Sequence, residues 1–202
     1  RFARDLVDVL TWLNGESGTP QTIEDASFVP ERLYTMRTRQ SAAYKGVHAL
    51  LMRDGGMDFR TGVPIDEATY FDEYIDIHHL FPRSWCNNNG VEADRRDSIV
   101  NKAPLSARTN RIIGGGAPSQ YLRRLEKDFE MSSERVDGIL ESHLIEAAAL
   151  RSDDFDRFFN ARFERLLERI SQAMGKPVAR GSETDDEPAG EPEDGENQEA
   201  AQ

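Results

Sequence analysis

From Phe2 to Leu13 apolar residues return every three or four positions (Phe2, Leu6, Val7, Val9, Leu10, Leu13) and the pattern stops at Gly15. That spacing predicts an amphipathic helix. A stretch rich in Gly, Ser, Thr and Pro follows, and Pro30 opens a second helical region whose apolar face (Leu33, Met36, Tyr44, Val47, Leu50, Leu51) runs to Gly55-Gly56. From Tyr70 the texture changes to Tyr70, Phe71, Tyr74, Ile75 and Ile77 interleaved with acids, which predicts a short strand ending by Pro82. Residues 83–97, with three consecutive asparagines, Gly90 and clustered charges, read as an exposed loop. A second extended piece is expected from Ser98 to Leu105, then a helix capped by Ser106 and stopped at Gly114. Further helices are predicted to start near Ser119, Ser133 and Asp153, the last carrying Phe155, Phe158, Phe159, Phe163, Leu166, Leu167 and Ile170 on one face up to Gly175. These later helices read as scaffold or partner-contacting surface.

Composition narrows the class. The 202 residues suffice for one ordinary domain with appended segments. No apolar run approaches the length of a bilayer span, and there is no leader of the secretory type, so a cytoplasmic protein without a membrane partner is expected. The single cysteine, Cys86, excludes an internal disulfide and a zinc knot of paired cysteines. The start at Arg1, leading straight into an apolar periodic stretch, suggests a preceding domain in the same parent chain. A net charge of −12 argues against a polyanionic partner, but nine acids and no base lie in residues 182–202. That tail has too little apolar surface to order itself. Between His78 and Lys127, nine bases face four acids, so one segment is locally basic.

The chemistry concentrates where packing explanations weaken. Asp76, His78, His79 and Pro82 are followed by Asn101 and, nine residues later, Asn110. His48 stands alone on an apolar face and reads as a structural histidine. Phosphodiester hydrolysis needs a proton acceptor with a pKa near neutrality and a cation for the charge that grows on the phosphoryl and leaving oxygens. A histidine pair on a strand, an asparagine after a loop and an asparagine in a capped helix provide such groups. Adjacent strand residues point to opposite faces, so the strand is expected to end or bulge at His78.

This layout, His79-Leu80-Phe81-Pro82, then Asn101-Lys102, then Asn110-Arg111, resembles the HNH, or ββα-metal, nuclease family over residues 76–119. With Tyr44-Lys45-Gly46 and the segment from Asp58 to Gly62, it is also similar to the nuclease halves of modification-dependent restriction proteins with a ParB-like N-terminal domain. The resemblance implies an α+β fold, mostly helical around a small ββα finger. It divides the chain into a helical N-terminal region (1–66), the nuclease core (67–130), C-terminal helices (131–178) and an acidic disordered tail (179–202). It implies that His79 is the general base, that Asn101 braces the loop and orients His79, and that His78 and Asn110 hold one divalent metal ion. Asp76 is a further candidate carboxylate, direct or through water. The family places an aspartate where His78 stands; Mg²⁺ is the first choice of ion, and the imidazole admits Mn²⁺, Ni²⁺ or Zn²⁺. DNA is the implied substrate, with phosphate contacts from Arg83, Lys102, Arg108 and Arg111, and Arg123 and Arg124 either extending the track or forming a solvated face. Restriction or antiviral defence is the implied setting, with a homo-oligomer admitted. The rival reading is a catalytically inactive DNA-binding or regulatory module of the same shape.

Overall fold

The computed structural model describes residues 2–16, 18–37, 41–65 and 75–179. In chain order the elements are α1 (Phe2–Leu13), α2 (Gln21–Asp25), α3 (Arg32–Thr35), α4 (Ala42–Arg53), β1 (Asp76–His79), α5 (Arg83–Asn88), α6 (Ala93–Arg96), a 3₁₀ turn (Ile99–Asn101), β2 (Lys102–Leu105), α7 (Ala107–Ile113), α8 (Pro118–Asp128), α9 (Ser133–Glu141), α10 (Ala147–Arg151) and α11 (Phe155–Met174). The fold class is α+β, a mostly helical chain around one two-stranded antiparallel ribbon. The tail after 179 and the segment that begins with Tyr70 lie outside the described residues, apart from Ile75 onward. Among the described residues no helix is long and apolar enough to cross a membrane.

The ribbon is regular. Asp76 pairs with Leu105, Ile77 with Pro104, His78 with Ala103 and His79 with Lys102. The expected bulge at His78 is therefore absent, and the strand runs one residue further, to His79. Side chains alternate across a pleated strand, so His78 shares a face with Ala103 and His79 shares the opposite face with Lys102.

Local chemistry explains the helix bounds. Ser106 caps α7, its Oγ accepting from Thr109 N at 3.1 Å, and Gly114, at φ 57°, ends it. Asp154 caps α11 through Arg157 N at 3.0 Å, and Gly175 closes it in the left-handed conformation. Asp153 caps α8 from across the chain, its carboxylate accepting from Ser119 N and Oγ, both at 2.7 Å.

Residues 83–97 depart from the exposed loop expected of them: α5 and α6 form there. Pro82, with its fixed φ of −57°, stands at the start of α5. Cys86 on α5 is fully buried, and Trp85 packs on Phe81 with ring centroids 4.9 Å apart. Phe81 also meets Phe155 at 5.2 Å and Phe158 at 5.0 Å, which seats the end of β1 on α11. Burying one such ring contributes about 2–3 kcal/mol by area. The helical region expected from Pro30 is two elements, α3 and α4, with residues 38–40 between them outside the description.

Candidate active site

The ribbon, the α5–α6 connection and α7 carry the sequence-predicted residues. His79, at the end of β1, has a side chain only 23% exposed, and its Nε2 lies 3.1 Å from Asp97 Oδ1. Asp97 follows α6 and is anchored in turn: Arg96 donates to its Oδ2 from Nε at 3.1 Å and Nη2 at 2.6 Å, and Arg83 Nε lies 3.2 Å from its Oδ1. Burial alone would raise the Asp97 carboxyl, but these cations and the His79 hydrogen bond outweigh it and hold the group below the usual carboxylate range. Asp97 is thus a carboxylate at neutral pH.

Burial, then the nearby Lys102 ammonium, push His79 down to about 4 against the opposing pull of Asp97. The ring is neutral at pH 7. A carboxylate can only accept, so the one ring proton sits on Nε2, facing Asp97, and the Nδ1 lone pair is left as a proton acceptor. Asp97 was not singled out in the sequence. Its distance of 18 residues from His79 is closed only by α5 and α6, which the asparagine-rich composition concealed.

Asn101 is fully buried and joins the two halves of the finger. Its backbone carbonyl accepts from Leu80 N at 2.9 Å and its Oδ1 from Phe81 N at 2.8 Å. Its Nδ2 donates to the carbonyls of Phe81 at 3.0 Å and Arg96 at 2.9 Å. All of these bonds fix the backbone that leaves His79 and the backbone that enters Asp97. Tyr121 adds a hydrogen bond from its hydroxyl to Leu80 O at 3.1 Å.

Asn110 stands half-buried on α7, and its side-chain amide makes no hydrogen bond among the described residues. The helix that carries it is fixed from a distance by Asp58, which is 2% exposed. Asp58 Oδ2 accepts from Ser106 N at 3.1 Å and Thr109 Oγ1 at 2.8 Å, while Oδ1 accepts from Arg60 N and Thr61 N within its own turn. Burial would raise this carboxyl, and the bonds from Ser106, Thr109 and Thr61 bring it below the ordinary value instead.

His78 is half-buried on the ribbon face opposite His79. Among the described residues there is no group of three or more His, Cys, Asp or Glu placed to hold a metal ion. The donors of a type a divalent ion accepts are the His78 imidazole and the Asn110 amide oxygen. The side chain of Asp76 lies outside the described residues.

The cations divide. Arg108 and Arg111 are exposed on α7 and make no ion pair among the described residues, whereas Arg83, also exposed, leans on Asp97. Lys102 departs from the expectation of a phosphate contact. It is 8% exposed, its Nζ donates to Arg37 O at 2.8 Å and lies 5.8 Å from the Tyr44 ring centroid, and burial pushes it down to about 8. The cover supplied by α3 and α4 turns this ammonium into an internal charge behind His79. Arg124 is also engaged: its Nη2 donates to the Ile112 and Ile113 carbonyls at 2.6 and 3.1 Å, capping the end of α7. Cys86 donates to Phe81 O at 3.4 Å, and burial raises its thiol to about 11, which makes it inert packing.

Comparison with known proteins adds a distant relative. No family model matches the chain, and no solved structure does. The chain is 26% identical over 199 residues to the uncharacterized protein MJ0686 of Methanocaldococcus jannaschii, an alignment covering 86% of this chain and 33% of that protein. The chain therefore spans about a third of the length of the curated relative it matches.

Proposed function

We propose that the chain carries a metal-dependent HNH endonuclease centre that hydrolyses phosphodiester bonds in DNA. The observation that supports it most directly is the hydrogen bond between His79 Nε2 and Asp97, which leaves Nδ1 of a neutral ring free to take a proton from an attacking water. His79 is the base in this reading, Asp97 and Asn101 position it, and Arg108 and Arg111 meet the phosphates. His78 and Asn110 would hold one divalent ion, Mg²⁺ or a transition ion suited to imidazole, and for that ion to share a phosphate with His79 the ribbon must open at His78, since the regular pairing sends the two histidine side chains to opposite faces. When bound, that ion supplies stabilisation for the negative charge that grows on the phosphoryl oxygens. Restriction or antiviral defence is the proposed setting, with an N-terminal domain in the parent chain as the proposed source of specificity.

Nicking of supercoiled plasmid in Mg²⁺, Mn²⁺, Ni²⁺ or Zn²⁺ tests the reading. His79→Ala is expected to lower kcat by about 10²–10⁴-fold with DNA binding retained. Undiminished cleavage by that variant sinks the assignment. Salt-sensitive binding with no cleavage in any of the four ions would instead support an inactive DNA-binding module.

A further inference from the structure

One fully buried cation is not explained by packing. Arg162, in the middle of α11, has 0% exposure and no carboxylate partner among the described residues. Its Nε donates to His143 O at 3.1 Å, and its Nη1 donates to two carbonyls at once, Val100 O and, at 2.8 Å, Lys102 O. These carbonyls stand on either side of Asn101. Burial pulls the guanidinium down to about 9, so it stays charged at neutral pH. Burying a charge without a counter-ion is costly, and an apolar side chain among Phe158, Phe159 and Leu166 would satisfy the core at lower cost. What the planar guanidinium offers is donors at fixed angles: Nη1 forks between Val100 O and Lys102 O while Nε holds His143 O, and Nη2 is buried with no hydrogen-bond partner among the described residues.

From that fork to the candidate base the path is short. Arg162 holds the backbone before and after Asn101, and Asn101 holds Leu80 N, Phe81 N, Phe81 O and Arg96 O. Leu80 follows His79, and Arg96 precedes Asp97. We propose that Arg162 is a positioning residue for the His79 site, setting Asn101 from the core side and, through it, both backbone segments that carry His79 and Asp97. The C-terminal helix α11 is then part of the catalytic finger and not an accessory to it. This inference rests on the nuclease reading for its activity arm alone.

The test compares Arg162→Met, Arg162→Lys and, as a control on the same helix that loses core packing but no hydrogen bond to the Val100–Lys102 backbone, Leu166→Ala, all in the full chain. Residue-resolved amide exchange reads Leu80 and Phe81, whose N–H groups bond to Asn101. Arg162→Met is expected to lower their protection at least tenfold beyond Leu166→Ala at matched thermal stability, with Arg162→Lys recovering part of it. In plasmid nicking with Mn²⁺, kcat is expected to fall about 10–100-fold with KM within about threefold. Equal protection in Arg162→Met and Leu166→Ala overturns the inference and leaves the nuclease reading standing. Wild-type protein that never cleaves overturns the nuclease reading, and the exchange result still decides the role of Arg162. Should both Arg162 variants fail to fold, the wild-type side chain decides by NMR: couplings across the hydrogen bonds from Arg162 Nη1 to the Val100 and Lys102 carbonyl carbons support the fork, and slowly exchanging Nη1 protons without those couplings overturn it.

Discussion

At the residue scale the proposed chemistry turns on the contact between His79 and Asp97. The carboxylate raises the basicity of the ring while burial and Lys102 lower it, and the balance keeps the imidazole neutral and oriented. Asp97→Asn removes the opposing charge, leaves Arg83 and Arg96 without their anion, and frees the ring to change tautomer. We expect kcat for DNA nicking to fall by about 10²-fold with secondary structure unchanged, the scale that a displaced catalytic group costs; wild-type turnover in this variant would remove Asp97 from the mechanism. His79, Asn101 and Asn110 stood out as candidates in the sequence because a histidine pair and spaced asparagines are hard to explain as packing, and the structure joins the first two through the Leu80 and Phe81 backbone. Asp97 was not, since its meaning depends on two short helices that a run of asparagines disguised. Nor was the burial of Lys102, because the carbonyl and aromatic ring that take its ammonium come from Arg37 and Tyr44, about sixty residues earlier in the chain. Arg162 did leave a signal. It lies four residues after Phe158, three after Phe159 and four before Leu166, so helical spacing alone puts it on the apolar stripe of α11.

Elements inherit their precision from groups outside themselves. The capped helix after β2 and the later helix starts follow from Ser106 and the glycine stops, whereas the extended piece expected from Ser98 begins only at Lys102, because Ile99–Asn101 form a 3₁₀ turn capped by Ser98. The 57–64 turn is different: its role is visible only once Asp58 is seen to reach Ser106 and Thr109 at the start of α7. Asp58→Asn exchanges a charged acceptor of several hydrogen bonds for a neutral one. The expected loss is about 1–3 kcal/mol in denaturant unfolding, together with weaker protection of the α7 amides. A loss of stability without any change at α7 would mean that Asp58 serves its own turn alone.

For the whole molecule, the buried histidines set the response to acid. Burial, with Arg162 and His143 next in weight, pushes His48 down to about 3, and burial pushes His143 down to about 4. Both rings are neutral in the folded chain, whereas in the unfolded chain they titrate near 6.5. Between about pH 6.5 and 4 the unfolded state binds protons that the folded state refuses, so stability is full above that window and falls as pH drops through it. His48 carries on the order of 3–5 kcal/mol of this dependence. Neither of its ring nitrogens has a hydrogen-bond partner among the described residues, and it meets Tyr44 edge-on at 4.7 Å. His48→Leu is accordingly expected to flatten the decline of Tm between pH 6.5 and 4 at little cost at pH 7.5; an unchanged slope would assign the acid response elsewhere.

The reach of α11 back to Asn101 also governs when the centre can mature. Val100 and Lys102 are synthesised some sixty residues before the side chain that clamps them. A nascent chain can pair β1 with β2 early, but it cannot lock Asn101 until α11 has left the ribosome and docked. If the centre cuts DNA as proposed, it stays unarmed during its own translation, and a product truncated before Phe155 would lack the clamp altogether.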